Sequence, residues 1–125
     1  AVPALTRTFA AVQSGLKNSY ENMLQPLTAQ GPGKVALWGA GAKGVTFANL
    51  VDPYRRWIAC IVDLNPAKQG SFLPGTGHPV VSYTQLPHYA VTTAILTNPN
   101  YYAENLALLR EARINVNLIN LMDTR

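Results

Sequence analysis

Charge is scarce in this chain. Lys, Arg, Asp and Glu make up 13 % of its 125 residues, and the formal charge of +4 comes from scattered basic residues with Arg55-Arg56 the only adjacent pair. Such a balance tolerates phosphates but lacks the dense basic stripe of a duplex-binding surface, so no nucleic-acid partner is expected. Cysteine is nearly absent. Cys60 stands alone, which excludes a disulfide framework and a zinc cluster, and its apolar surroundings read as those of a small buried thiol. No apolar run is long enough to cross a membrane and nothing resembles a signal peptide, so the expected setting is cytoplasmic, with no membrane partner. Histidine is limited to His78 and His88, both beside prolines and neither with a nearby carboxylate in sequence. No catalytic residue and no metal ligand is assigned.

Apolar residues, by contrast, are plentiful at 48 %, enough for one compact core and little more. The start at Ala1-Val2-Pro3, without an initiator methionine, suits a piece of a longer protein. Leu5, Phe9, Val12, Leu16, Tyr20, Met23 and Leu27 recur at steps of three and four, predicting an amphipathic helix from about residue 4 to Gln25, where Pro26 disturbs it. Residues 1–30 are read as this connector helix. Gln30-Gly31-Pro32-Gly33 is a turn cluster at the entry to a second unit, 31–125. There, short apolar strands (Val35 to Trp38, Trp57 to Val62, Val80 to Ser82, Val91 to Thr97, Val116 to Leu121) alternate with helices (Val45 to Val51, Pro99 to Arg113), and Asp52-Pro53 closes the first helix. This predicts an α/β, Rossmann-like three-layer domain with a mostly parallel five-stranded sheet in the order 3-2-1-4-5.

Between the first strand and its helix lies Gly39-Ala40-Gly41-Ala42-Lys43-Gly44, and Asp63 ends the second strand about 20 positions later. Glycines there let backbone N–H groups crowd an anion at a helix start, Lys43 adds a positive charge, and an acidic residue at that distance reaches a ribose hydroxyl. The alternative for Asp63 is an Asx turn with Asn65 and Pro66. A Walker loop is excluded by spacing. Strands 1 and 4 are expected to flank a crevice at their carboxyl ends, lined by the glycine turn and by Asn98-Pro99-Asn100-Tyr101. Of Tyr101 and Tyr102, one is expected to stack on a base or sugar while the other packs. Residues 65 to 78 form a Gly- and Pro-rich loop of functional length.

Gly39-Ala40 with Lys43-Gly44, then Asp63-x-Asn65-Pro66-x-Lys68-Gln69-Gly70, then Pro74-Gly75-Thr76 followed by Pro79-Val80, resemble the C-terminal domain of bacterial SAM-dependent C-methyltransferases, among them sugar-nucleotide C-methyltransferases. The resemblance implies an accessory domain, not catalytic alone, that holds a nucleotide sugar or similar phosphorylated acceptor against a preceding methyltransferase domain of the same polypeptide. SAM is implied for that preceding domain and no cofactor for this chain. By the same resemblance Gly39, Ala40, Lys43 and Gly44 would face the substrate, Asp63, Lys68 and the Pro74-Gly75-Thr76 loop would shape the rim, and Asn98 would supply a polar group; Gly41, Asn100 and Tyr101 complete the candidate set. The places after Lys43-Gly44 and after the fourth strand read Val45-Thr46 and Thr97-Asn98-Pro99-Asn100, a departure from sugar-methylating members. Two other readings stand beside this one: a small NAD-binding module resting on Gly39, Gly41, Gly44 and Asp63, and a scaffold that binds nothing. The N-terminal stripe is further expected to support self-association.

Overall fold

Strand β1 (Val35–Trp38) is only four residues long, yet every one of its side chains is buried, as they must be in the middle of a sheet covered on both faces. A computed structural model describes residues 4–121, with side chains from residue 15 onward. Its elements run α1 (Ala4–Thr28), β1, α2 (Ala42–Val51), β2 (Ile58–Val62), β3 (Val80–Val81), a 3-10 segment (Tyr83–Tyr89), β4 (Thr93–Leu96), a 3-10 turn (Pro99–Tyr101), α3 (Tyr102–Glu111) and β5 (Asn117–Asn120). All pairings are parallel and the order is β3-β2-β1-β4-β5, the order expected from right-handed crossovers.

Side-chain alternation divides the core. Val35 and Leu37 join Phe47, Ile61, Ile95, Tyr20 and Leu24 on the face covered by α1 and α2. Ala36 and Trp38 join Cys60, Val62, Leu86, Leu96 and Leu109 on the face covered by the 3-10 segment and α3. Strand β2 breaks strict alternation: Val35 pairs with Ile58 but Ala36 with Cys60, and this irregularity lets Ile58 and Ile61 both serve the first face. Cys60 is fully buried, and that burial pushes its thiol up to about 12. Iodoacetamide at pH 8 should therefore leave the native chain unmodified and label it only after denaturation, as read by intact mass.

The first helix runs past its expected end. Pro26 lies inside α1, which continues to Thr28. So close to the terminus, a missing N–H costs a single bond, to the carbonyl of the exposed Asn22, which water can satisfy. Thr28 Oγ1 then donates to the Gln25 carbonyl at 2.6 Å. Leu16, Met23 and Leu27 pack around buried Tyr20 and Leu24, with Tyr20 tilted against Phe47 of α2 at 4.9 Å. The described part of the apolar stripe thus covers the domain's own α2; the side chains of Leu5, Phe9 and Val12 lie outside the described residues. No helix among the described residues is long and apolar enough to cross a membrane.

Candidate functional site

The glycine turn is held open by specific contacts. Gly39 adopts φ +123°, and its N–H donates to Val62 O at 2.7 Å. A Cβ there would collide with Thr97 Oγ1, itself fixed by donating to Trp38 O at 3.0 Å. A Cβ on Gly44 would strike the Gly39 carbonyl oxygen. The first turn of α2 therefore sits directly against the end of β1. No side chain caps α2, whose Gly41 N-cap is extended and exposed beside Ala42 and Lys43. An uncapped helix start of this kind carries N–H groups and a positive dipole end suited to an anion.

Asp63 closes the turn from the side. Its Oδ2 accepts from Ala40 N–H at 3.0 Å and its Oδ1 from Asn65 N–H at 2.9 Å. The Asx turn expected as one alternative is present, and the same carboxylate also ties β2 to the glycine turn.

Two cavities flank this clasp. The first, about 270 Å³, opens at the carboxyl ends of β1 and β4 and brings Gly39, Asp63, Asn98 and Tyr101 together with Trp38, Leu64, Leu96, Thr97 and Asn105. This is where the strand order reverses, the usual place for a ligand in an open α/β sheet. The second, about 330 Å³, is formed by Ala40, Lys68 and Pro74 with Ser71, Phe72, Leu73 and Val80. The candidate residues are thus divided between two hollows and the α2 start, with Gly75, Thr76 and Asn100 in none of the three. Tyr101 is 56 % exposed on the first cavity, whereas Tyr102, the first residue of α3, packs half-buried against the core. Asn98 caps the 3-10 turn, accepting from Asn100 N–H at 3.1 Å, and Asn100 itself is exposed.

The long loop is firmly pinned. Gln69 Nε2 donates to Asp63 O at 2.8 Å, Leu73 N–H to His78 O at 2.8 Å, and Asn49 Nδ2 of α2 to Pro74 O at 3.0 Å. Asn49 also leaves no room for a side chain at Gly75. Thr76 does not reach the rim: it is buried, with its hydroxyl 2.6 Å from His78 Nδ1, and Arg55 donates to its carbonyl.

His78 has the carboxylate partner that its sequence neighbourhood lacks. Its Nε2 lies 3.1 Å from Asp52 Oδ2, and Asp52 also accepts from the N–H groups of Arg56 at 2.8 Å, Trp57 at 3.1 Å and Ile58 at 2.8 Å. Burial alone would raise the Asp52 pKa, but the bonds from His78, Ile58, Arg56 and Trp57 together leave it below its ordinary value. Thr76, His78 and Asp52 follow one another in space as a nucleophile, base and orienting acid would. All three are 2 % exposed or less, however, so no substrate reaches the hydroxyl, and the cluster locks the loop to the end of α2. Among the described residues no group of three or more His, Cys, Asp or Glu side chains is placed to hold a metal.

The family described as the C-methyltransferase C-terminal domain matches residues 3–115. The chain belongs to that family. Among solved structures, the chain is similar to RSP, a Rex-family repressor, at 19 % identity and a TM-score of 0.51, covering 82 % of this chain and 58 % of that one. It is also similar to RSP in complex with beta-NADH at 20 % identity and a TM-score of 0.47, covering 82 % and 60 %. It therefore spans about three-fifths of the length of those structures. At such identities the likeness concerns the fold alone. No curated protein matches the chain.

Sequence reasoning missed Trp38, Leu64, Leu96 and Asn105 as cavity residues, and Asn49 and Asp52 as anchors of the loop. A signal for Asn105 was available. It lies one helical turn after Tyr101 and one before buried Leu109, so it is a polar residue on a core-facing stripe.

Proposed function

We propose that this C-methyltransferase C-terminal domain holds a phosphorylated acceptor, of the nucleotide-sugar class, against a methyltransferase domain that precedes it in the polypeptide. The observation that carries the reading is the joining, at one end of the sheet, of a cavity at the β1/β4 reversal to an uncapped glycine-turn helix start. Membership of the family supplies the reaction context, methyl transfer to carbon. SAM supplies the methyl group and would be bound by the preceding domain; the residues of this chain orient the acceptor and exclude water from one side of it. The dinucleotide alternative rests on the same glycine turn and on Asp63, whose carboxylate accepts the N–H groups of Ala40 and Asn65 and keeps further lone pairs.

A thermal-shift panel with nucleoside diphosphates, nucleotide sugars, NAD and SAM tests the reading, since a ligand bound only by the folded chain raises its melting temperature. Stabilisation by nucleoside diphosphates or nucleotide sugars but not by SAM is the expected result. A response to NAD alone would replace the reading with a dinucleotide module. Lys43 is exposed in the first turn of α2. Lys43→Ala should weaken a phosphate-bearing ligand roughly 10- to 150-fold, as one charge-assisted contact is worth, while the chain still folds. Unaltered affinity in a calorimetric titration would remove Lys43 from the site.

A further inference from the structure

The Asn105 side chain is only 3 % exposed, and it lines the first cavity from α3. No hydrogen bond joins its carboxamide to another described residue, yet it is not among sealed polar groups lacking a partner, so its polar atoms meet solvent where the cavity does. A carboxamide whose partners are only the cavity's water packs less favourably than an apolar side chain, so a fold that served only packing would gain by placing a leucine there.

Around this amide the walls are chiefly apolar: Trp38, Leu64 and Leu96, with Tyr101 exposed at the side. Trp38 is braced by Tyr83, whose ring stacks on it at 6.1 Å and 12°. Such walls suit the apolar faces of a flat ring, and the polar groups of Asp63, Thr97 and Asn98 share the lining. At about 270 Å³ the cavity lies just below the usual span for whole ligands, which fits one ring system of a larger molecule. A carboxamide offers a donor and an acceptor side by side, the complement of the neighbouring donor and acceptor on a nucleobase edge. Gly39 borders the same cavity and leads to the start of α2, so a ring seated here would direct its attached phosphates toward Gly41 and Lys43.

We infer that Asn105 reads the base: the first cavity is a nucleobase subsite in which the Asn105 carboxamide pairs with the ring edge while Tyr101 covers its face. The inference rests on the phosphorylated-acceptor reading and specifies which part of that ligand goes where.

The test is isothermal titration of the chain, and of Asn105→Leu, with UDP, dTDP and ADP, and with pyrophosphate and ribose 5-phosphate as ligands that lack a base. The native chain should bind at least one nucleoside diphosphate more tightly than either baseless ligand, and the preferred one identifies the base. Asn105→Leu should lose roughly 10- to 100-fold in affinity for that diphosphate, leave pyrophosphate affinity unchanged, and melt no lower than the native chain. Asn105→Asp, of the same shape but without the donor, should lose affinity too and gives the answer if the leucine variant does not fold. Diphosphate affinity unchanged by either substitution would overturn the base subsite while leaving the phosphorylated-acceptor reading intact. Failure of the native chain to bind any diphosphate or pyrophosphate would overturn both.

Discussion

Replacing Asp52 by Ala is expected to destabilise the fold by about 3–5 kcal/mol, enough to lower the melting temperature by roughly 10–20 °C. The carboxylate serves four donors at once: the N–H groups of Arg56, Trp57 and Ile58 at the entry to β2, and His78 Nε2 from the far end of the long loop. Its removal strands the buried Ile58 N–H and His78 Nε2, and unsatisfied groups cost more than made bonds gain. Acid should expose the same dependence. The folded pKa of Asp52 is below its ordinary value, so its contribution is full above the unfolded pKa near about 4 and is lost as pH falls through the folded one. The stability gap between native chain and Asp52→Ala, measured by urea denaturation, should therefore be constant from pH 7 to about pH 5 and close on further acidification. A gap independent of pH down to pH 2 would mean that the side chain acts through shape alone.

Gly44→Ala is expected to behave oppositely to the same change elsewhere in the chain. At Gly15, exposed within α1 and with nothing near a prospective Cβ, alanine should stabilise by about 0.5–1 kcal/mol through helix propensity. At Gly44 that gain is outweighed, because the new methyl group collides with the backbone oxygen of Gly39 and also nears Leu37 Cδ2 at 3.5 Å. Backbone has no rotamer by which to yield, so α2 and the glycine turn must separate, at a cost of about 1–3 kcal/mol or more. Gly39 borders the first cavity, and the same shift should abolish the thermal response to nucleoside diphosphates. Equal melting temperatures for Gly15→Ala and Gly44→Ala would show that the turn accommodates the methyl group.

Strand identity and sheet order were legible because each strand is a short apolar run between breakers, and because helices alternating with such runs leave few ways to close the sheet. The β2 irregularity was not, since Ile58 to Val62 is apolar throughout and carries no mark of which side chains face which layer. The 3-10 segment Tyr83–Tyr89 was also missed: Pro87 within it reads as a breaker, although Ser82, which accepts from Thr84 N–H at 3.3 Å, is an ordinary cap signal. The glycine turn, Asp63 and Tyr101 were visible as candidates through spacing alone. The Asp52 and His78 pair was hidden by the 26 residues between its members, because a partnership made by tertiary closure leaves no local pattern.

Helix α1 has a consequence for how the chain could be joined to a neighbour. Its Leu24 and Thr28 lie beside Val51 and Trp57, while Tyr20, a turn earlier, meets Phe47, a turn earlier in α2. The two helices therefore run side by side in the same sense, away from the end of the sheet where both cavities open. At 25 residues against 10, α1 is roughly 37 Å long and α2 roughly 15 Å. Followed backward, α1 overshoots the glycine turn like a mast rising past a harbour mouth, and a domain carried at its top would stand over the entrance.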